Sequence, residues 1–564
     1  MARTAALVGA PVLLIGALTW PLLFTNSVFY IDWITHLWFV WQQSLAIRAD
    51  HVPSFFINYS HSVFDPVYAF YGGTIYTIAG LLSLVLGNAP VAAYVLTYLM
   101  AFAAAYGGWY WIGRMTGLGR WQAQVPGAVF ITSAFYLQIL YASGDWPAFV
   151  GVSTLPLVIA SALSLMRAER VRMLPAIALV ASSIVFFGSH NVTILWGTTT
   201  TLLTALAIVI VVPQARQRIT RAGVIRVAGL AVPGLLVNAW YLLPTVAYAS
   251  RTWLGSGEGK GQAYWDGLIR EHMPIVSVGH LFTLSQAESF PGAANSSAAL
   301  PVLAIAWVLL SIPIVLRIGS NGTWLKILLV VSVMATLIGV VMTHAGLLLS
   351  LPAPYTKLQY SVRLESFVLL GVAGAVLAVL VLAQGSTGRT RLWTWTLAPV
   401  LAVSVVVASE RAADFPPAPP GVSRALQMRA YQRLQNAYAD ADLPVLDRTR
   451  SLRELTIAPA AVHDDRVSGV VYLRPGQLVA SNIGGGPELV HVAGARIVGI
   501  DPGFNDVLEI DPAAGSESGG ERITVSTADG FPILAGRLLT IAAAIILVGE
   551  LAAIAARDVR ARRV

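Results

Sequence analysis

The chain of 564 residues contains no cysteine and few charged residues. Without cysteine it can form no disulfide bonds and can hold neither Cys-ligated iron–sulfur clusters nor thiolate zinc sites. Charged residues make up only 11% of the chain, against about 25% in a typical soluble domain, whereas 56% are hydrophobic and the mean hydropathy is +0.70. This balance excludes an ordinary soluble enzyme and predicts a polytopic membrane protein.

Apolar windows of roughly 17–25 residues predict about twelve transmembrane helices. They lie near residues 5–25, 90–113, 122–141, 148–166, 173–188, 192–212, 227–248, 299–316, 326–345, 364–383, 393–408 and 538–556. The segment 74–87 is too short to be counted with them. No small-residue cleavage site follows the first window, so we expect no cleaved signal peptide.

The distribution of basic residues predicts which side of the membrane each loop occupies. With 74–87 left out of the count, 18 Lys and Arg residues fall on one side, and the short loops of the other side hold six. The positive-inside rule makes the first side cytoplasmic, with both termini there. It also explains the net charge of +8 without a nucleic-acid partner. We therefore expect a multi-pass protein of the plasma or inner membrane.

The chain divides into three predicted parts. They are a membrane domain at 1–408 with outer loops 26–89 and 249–298, an extracytoplasmic segment at 409–537, and a last span with a basic cytoplasmic tail at 538–564. The extracytoplasmic segment begins with a helical pattern at 423–442. Short alternating stretches follow, broken by Gly, Pro, Asn and Asp, and they predict β-strands. The predicted fold is thus a polytopic α-helical membrane protein with a small β-rich extracytoplasmic domain.

The stretch FYIDWITHLWFVWQQ, directly after the first span, carries Asp32 and His36 one helical turn apart. A helix would place both side chains on one face. Its aromatic residues favour a helix at the membrane interface, with Asp32 as N-cap. The next aromatics along the chain favour the same anchoring role, and stacking on a sugar is the alternative for them. These aromatics are Trp33, Trp38, Phe39, Trp41, Tyr68, Phe70 and Tyr71. A cap does not need His36, so a functional role for the pair stays open.

Two further outer segments carry polar residues beside predicted spans. Asp145, in YASGDWPAF, is either the N-cap of the following span or a second acid facing the same place as Asp32. His190 and Asn191, in FGSHNVT, form either a hydrogen-bonded turn between helices or a contact to a sugar hydroxyl.

The segment PAPYTKLQYSVRLESF places Lys357 and Arg363 on the outer side, where the positive-inside rule disfavours cations. An anionic partner is a physical reason for cations there, and a phosphate suits the fork of an arginine. The alternative is a contact of Arg363 with Glu365 or with a lipid headgroup.

These motifs together resemble the GT-C superfamily of membrane glycosyltransferases. More narrowly, they resemble the bacterial "6-pyruvoyl-tetrahydropterin synthase-related" membrane proteins, although nothing here indicates pterin chemistry. The resemblance covers about residues 5–385 and rests on DWITHLWF, FDPVYAFYGGTIYTIAGLLSLVLG, GDWPAFVGVSTLPLVIASAL, SHN and KLQYSVRLESF. It implies an outer-face enzyme that moves a sugar from a polyprenyl-phosphate donor to a cell-envelope glycan or glycolipid.

The resemblance also implies roles for individual residues. Asp32 would be the general base and Asp145 the second-loop acid, while Arg363 would hold the donor phosphate. The expected substrate contacts are His36, His190, Asn191, Lys357, Gln359, Tyr360 and Arg363. The sequence departs from the family pattern at Ala148, where an acid is common.

A single base acting on the acceptor hydroxyl predicts inversion at the anomeric carbon. The resemblance leaves a divalent metal open, to which Asp32, His36 and Asp145 could supply ligands, but no spacing is diagnostic. The alternative function is a transporter or flippase of lipid-linked saccharides. Such a protein is expected to have internal repeats and midplane charges, and the sequence shows neither.

Overall fold

The computed structural model of the protein is predominantly helical, and each predicted membrane window coincides with at least one helix. The described residues are 2–24, 32–55, 57–59, 62–65, 68, 71–168, 171–248, 278–282, 300–317, 322–356, 358, 361–384, 393, 396–414, 445–446, 453–455, 466–471, 478–481, 489–500, 506–510, 521–528 and 530–563. The helix predicted at 423–442 lies outside them.

The helices are numbered here in chain order. They are α1 (Ala2–Phe24), α2 (Trp33–Asp50), α3 (Gly73–Val85), α4 (Pro90–Met115), α5 (Val125–Ile131), α6 (Ala134–Gln138), α7 (Trp146–Arg167), α8 (Met173–Phe187), α9 (Asn191–Val211), α10 (Pro213–Arg218), α11 (Arg221–Leu236), α12 (Ala239–Ala247), α13 (Val278–Leu281), α14 (Val302–Arg317), α15 (Gly322–Thr343), α16 (Ala345–Leu349), α17 (Ala353–Thr356), α18 (Glu365–Gln384), α19 (Leu397–Asp414) and α20 (Phe531–Arg563). A 3₁₀ turn at Ser361–Leu364 leads into α18.

Seven helical segments of the described chain are long and apolar enough to cross a membrane. They are Leu7–Phe24, Pro90–Met115, Trp146–Arg167, Asn191–Val211, Gly322–Thr343, Ser361–Gln384 and Phe531–Val559. Two bent pairs, Gln122–Ile131 with Ala134–Tyr141 and α11 with α12, raise the number to nine if each pair is one span. The chain is therefore a polytopic helical membrane protein, and the count of twelve stays a prediction.

Helix α3 corresponds to the segment that was left out of the span count. Its 13 residues extend about 20 Å, which is shorter than the roughly 30 Å hydrocarbon core of a bilayer. It packs along α2, with its Gly80 close to the backbone of Ser44.

The helix ends assigned to the cytoplasmic side meet in the structure. Arg114 donates to the carbonyl of Leu118 (2.6 Å), and Arg167 donates to the carbonyl of Met115 (3.1 Å). Gln384, at the end of α18, donates to the carbonyl of Gly117 (3.2 Å). The ends of α4, α7 and α18 thus share one end of the bundle, as the predicted alternation requires.

Helix α2 is buried inside the bundle, so the expectation of an interfacial helix is wrong. Its large aromatic side chains are at most 9% exposed: Trp33, Trp38, Phe39 and Trp41. Tyr68 is also fully buried, and its hydroxyl donates to the carbonyl of Phe39. The polar residues Gln42, Gln43 and Ser44 are buried as well, so this part of α2 offers no polar face to lipid headgroups.

Gly144 lets the start of α7 approach the start of α2. Its φ of 65° lies in the left-handed region, and a Cβ there would be 2.6 Å from the backbone nitrogen of Trp33. A residue with a side chain would be strained at this φ and would collide with α2. The close approach brings Asp32, which precedes Trp33, near Asp145, which follows Gly144.

Gly72 provides a second close approach. It has a φ of 57° and lies against the backbone carbonyl of Ser189, leaving no room for a Cβ. The contact brings Tyr71, the residue before Gly72, beside His190, the residue after Ser189.

Strands occur where the alternating stretches predict them, in the segment after α19. They are β3 (Val445–Leu446), β4 (Arg453–Leu455), β5 (Arg466–Val471), β6 (Leu478–Ser481), β7 (Val490–Ala493), β8 (Ala495–Ile500), β9 (Asp506–Ile510) and β10 (Glu521–Thr527), after a short hairpin of β1 (Ile57–Tyr59) and β2 (Ser62–Asp65). One sheet has the order β3-β4-β6-β9-β8 and the other β5-β10-β7. Only β4 and β6 pair in parallel among these described strands. Helix α20 begins at Phe531, before the predicted boundary at 538.

We expect Gly144→Ala to lower the free energy of unfolding by about 1–2 kcal/mol or more, because a Cβ is strained at this φ and meets Trp33. Thermal unfolding of the detergent-solubilised protein measures the change. Gly107→Ala is the matched control, since Gly107 lies within α4 with open space around its Cβ position. Equal losses of stability in both variants would contradict the role of Gly144.

Candidate functional site

Six polar side chains from five segments lie together at the end of the bundle assigned to the outer face. This polar cluster consists of Asp32, His36, Tyr71, Asp145, His190 and Arg363. Five of them are candidate residues from the sequence. The sixth, Tyr71, was expected to anchor at the membrane surface, and that expectation is wrong, because it contacts three of the others.

Asp145 and Arg363 form the central salt bridge of the polar cluster. Nη2 of Arg363 lies 3.3 Å from Oδ2 of Asp145. The other carboxylate oxygen, Oδ1, accepts from the backbone N–H of Ala148 (3.2 Å) and from the hydroxyl of Tyr71 (3.4 Å). Asp145 is therefore both the N-cap of α7 and an acid facing the site. The alternative pairing of Arg363 with Glu365 is wrong, since Arg363 forms its salt bridge with Asp145 instead.

His36 is buried and held from two sides. Its ring stacks on that of Tyr71, with centroids 5.8 Å apart and planes 11° apart. Its Nδ1 hydrogen-bonds the hydroxyl of Tyr76 (2.6 Å). The imidazole is thus fixed in position, and within the described residues its enclosed Nε2 has no hydrogen-bond partner.

His190 is the N-cap of α9 and lies on the other side of Tyr71. The rings of His190 and Tyr71 meet edge to face, 5.5 Å apart. Nδ1 of His190 lies 3.0 Å from Oγ1 of Thr193 and 3.4 Å from its backbone nitrogen. This is the turn that the sequence suggested as one alternative. The next residue, Asn191, begins α9, and its contact with a substrate stays a prediction.

Asp32 occupies the N-cap position of α2 but makes no capping hydrogen bond, so the predicted capping role is wrong. It is exposed at the edge of the polar cluster. Loss of surrounding water and the charge of Asp145 raise its pKa to about 6, against the opposing attraction of Arg363. Asp32 is therefore a reachable carboxylate with the proton affinity of a general base working near neutral pH.

The other titratable groups of the polar cluster behave differently. Burial opposes ionisation of Asp145, but His190, Arg363 and the N–H of Ala148 outweigh it and hold its pKa below the ordinary value. Burial lowers the pKa of both His36 and His190 to about 4, although Asp145 opposes the shift. At neutral pH both imidazoles are uncharged, and they act by hydrogen bonding.

Three candidates, Lys357, Gln359 and Tyr360, lie outside the described residues, so their substrate contacts stay predictions. In the part of the chain that the structure describes, no group of three or more His, Asp and Glu side chains is arranged to hold a metal ion.

No family model matches the chain, and no curated protein matches it. The narrower resemblance to the pterin-synthase-related family thus has no support from these comparisons. Among solved structures, the fold is similar to that of the arabinofuranosyltransferase AftD from mycobacteria, with a TM-score of 0.49, 12% identity, and coverage of 90% of this chain and 40% of that one.

A second solved structure is the oligosaccharyltransferase of Archaeoglobus fulgidus in its apo form. It matches with a TM-score of 0.41 and 10% identity over 78% of this chain and 59% of that one. The chain therefore spans less than two thirds of the length of either protein. With such low TM-scores and identities, these two similarities support no inference about function. Any inference about function depends on the residues of the polar cluster.

We expect Asp32→Asn to stabilise the protein above pH 6. Asp32 holds its proton more tightly in the folded protein, with a pKa of about 6, than at its ordinary value of 3.8. Between these values the folded state binds more protons, so stability falls as pH rises. The neutral amide removes this cost, so its thermal unfolding temperature should exceed that of wild type at pH 7.5 and approach it below pH 4.

Asp50→Asn, at the last residue of the same helix, is the control for that measurement. A gain that is equal at every pH, or that the control reproduces, would contradict the raised pKa of Asp32.

Proposed function

We propose that the protein is a membrane glycosyltransferase that moves a sugar from a polyprenyl-phosphate donor to a cell-envelope glycan or glycolipid. One observation carries the proposal: an exposed carboxylate of raised pKa, Asp32, lies within electrostatic range of a partly buried arginine, Arg363, that is paired with Asp145. A glycosyl phosphate already contains a good leaving group. Its transfer needs a base for the acceptor and a cation for the departing phosphate.

Asp32 is the base in this proposal. Its carboxylate takes the proton of the acceptor hydroxyl as that oxygen attacks the anomeric carbon of the sugar. The bond from the anomeric carbon to the phosphate oxygen breaks, and the polyprenyl phosphate leaves with the electron pair. Because attack and departure occur on opposite sides of the ring, the configuration inverts.

Arg363 binds the phosphate in this proposal. Phosphate oxygens gain negative charge as the bond to the sugar breaks, and a guanidinium can stabilise them through two parallel hydrogen bonds. Asp145 is ionised, with one oxygen paired to Arg363 and the other accepting hydrogen bonds from Tyr71 and from the backbone N–H of Ala148. Its role is therefore to orient Arg363, which differs from the acid role that the family resemblance implies.

The two imidazoles and Tyr71 supply the sugar contacts. His36 is held by Tyr76 and Tyr71, and its Nε2 is unpartnered, so it can hydrogen-bond a sugar hydroxyl. His190 is the second neutral imidazole, and its ring meets that of Tyr71 edge to face. Uncharged groups suit this task because sugar hydroxyls both donate and accept hydrogen bonds.

The proposed location is the outer face of the plasma or inner membrane, with both termini in the cytoplasm. The charge count of the loops supports this orientation. The arginine-rich helix ends and the polar cluster lie at opposite ends of α4, α7 and α18, as the topology requires.

We expect Asp32→Asn to lower the transfer rate by about 10² to 10⁴-fold, the usual contribution of general base catalysis. The measurement is transfer from a synthetic polyprenyl-phosphate sugar to a short glycan acceptor by the purified protein. In wild type the rate should fall below pH 6 as Asp32 takes up its proton, and the variant should lack this decline. Asp50→Asn is the control, and wild-type rates in Asp32→Asn would contradict the assignment of the base.

We expect Arg363→Ala to lower kcat/KM for the donor by about 10² to 10³-fold, with little change in the KM of the acceptor, because it removes the cation that binds the phosphate. Arg363→Lys should recover part of the loss, since a lysine keeps the charge but not the fork.

Arg496→Ala is the control for Arg363→Ala, because Arg496 forms an exposed salt bridge with Glu509 outside the polar cluster. The phosphate assignment is wrong if Arg363→Ala impairs acceptor binding more than donor binding. The orienting role of Asp145 is wrong if Asp145→Asn abolishes transfer while Arg363→Ala leaves it intact.

A further inference from the structure

Glu365 is a fully buried carboxyl group that the proposed reaction does not use. It is the first residue of α18 and is 0% exposed. Among the described residues, neither of its carboxyl oxygens has a hydrogen-bond partner. Arg363, two residues earlier, forms its salt bridge with Asp145 and not with Glu365.

An ionised carboxylate is very unfavourable in this position. Its charge would be removed from water with neither a hydrogen bond nor a cation to compensate. The positive end of α18 attracts a negative charge in its first turn, but that attraction is several-fold weaker than the cost of removing the charge from water. A protonated carboxyl avoids most of this cost because it has no charge to remove from water.

The local helix geometry separates Glu365 from Arg363. Residues two apart point in different directions both in the 3₁₀ turn Ser361–Leu364 and in the α-helix that follows it. Ser361, four residues before Glu365, is also buried, and its hydroxyl has no hydrogen-bond partner. Ser361 and Glu365 thus lie toward the interior of the bundle, while Arg363 lies toward Asp145.

We propose that Glu365 is a protonated carboxylic acid in the folded protein at neutral pH. Because it is then uncharged, the positive charge of Arg363 interacts only with Asp145 and with the donor phosphate. The first half of this proposal stands on burial and geometry alone. The second half rests on the proposed function.

The neutrality of Glu365 matters because of its place in the chain. An ionised Glu365, two residues from Arg363 in the chain, would add a second carboxylate to that of Asp145. Its charge would weaken the positive field of the guanidinium and repel an anionic donor. Protonated, the residue adds no negative charge there. Glu365 therefore affects the substrate only through the electrostatic field at Arg363 and contacts neither of them.

The test is carbon-13 NMR of protein labelled at the glutamate carboxyl carbons, since protonated and ionised carboxyls resonate at different positions. In wild type we expect one resonance at the protonated position that does not shift between about pH 6 and pH 9, and Glu365→Gln should remove it. Glu550→Gln, which changes an exposed glutamate in α20, is the matched control and should leave that resonance in place.

The proposal is overturned if the resonance missing from Glu365→Gln lies at the ionised position, or if wild type has no protonated glutamate at pH 7.5. The second outcome needs only the wild-type protein, so it decides the matter even if the variant fails to fold.

A kinetic measurement tests the second half separately. Because glutamine imitates a neutral carboxyl, Glu365→Gln should keep the KM of the donor within about twofold of wild type. A tenfold lower KM would show that a negative charge had been removed and would overturn the proposal. If wild type transfers no sugar from a polyprenyl-phosphate donor, the proposed function fails while the NMR result stands.

Discussion

The salt bridge between Asp145 and Arg363 is the interaction on which the rest of the site depends. It joins the start of α7 to the turn before α18, and both side chains are largely shielded, at 10% and 20% exposure. Removing either partner from such a pair leaves a charge without compensation. The same pair influences the other titratable groups. The charge of Asp145 raises the pKa of Asp32, and it partly opposes the lowering of the pKa of both imidazoles by burial.

Two glycines make this arrangement sterically feasible. Gly144 lets the chain before Asp145 touch the start of α2, and Gly72 lets the chain after Tyr71 touch the turn at Ser189. Both have a positive φ and neither has room for a Cβ. The polar groups come from segments far apart in sequence, so the distances between them depend on these close backbone contacts. The scaffold therefore fixes the site through positions that carry no chemistry of their own.

The sequence was sufficient to predict helices at the apolar windows, strands near the C-terminus and most members of the polar cluster, because hydropathy and polar residues near helix ends are local signals. It failed where a property depends on which element covers a residue. The aromatics of α2 look interfacial by type, but α3 and α4 bury them, with Trp33 packed edge-on against Tyr94. For the same reason the sequence favoured a membrane anchor for Tyr71 over a role in the site, since only the fold brings it into contact with His36 and His190. A carboxylate at a span entrance, such as Glu365, likewise gives no local sign of whether Arg363 will pair with it.

If the proposed function holds, the charges of the polar cluster imply a link between binding of the proposed donor and the proton of Asp32. With neutral imidazoles, an ionised Asp32 and Asp145 against one Arg363 leave a net charge of about −1. A donor phosphodiester brings a further negative charge into the same site. Its repulsion of Asp32 favours the protonated carboxyl, so donor binding should raise the pKa of Asp32 further. The base is thereby strengthened when the donor is present, and a protonated Glu365 keeps the site from carrying one more negative charge than Arg363 can offset.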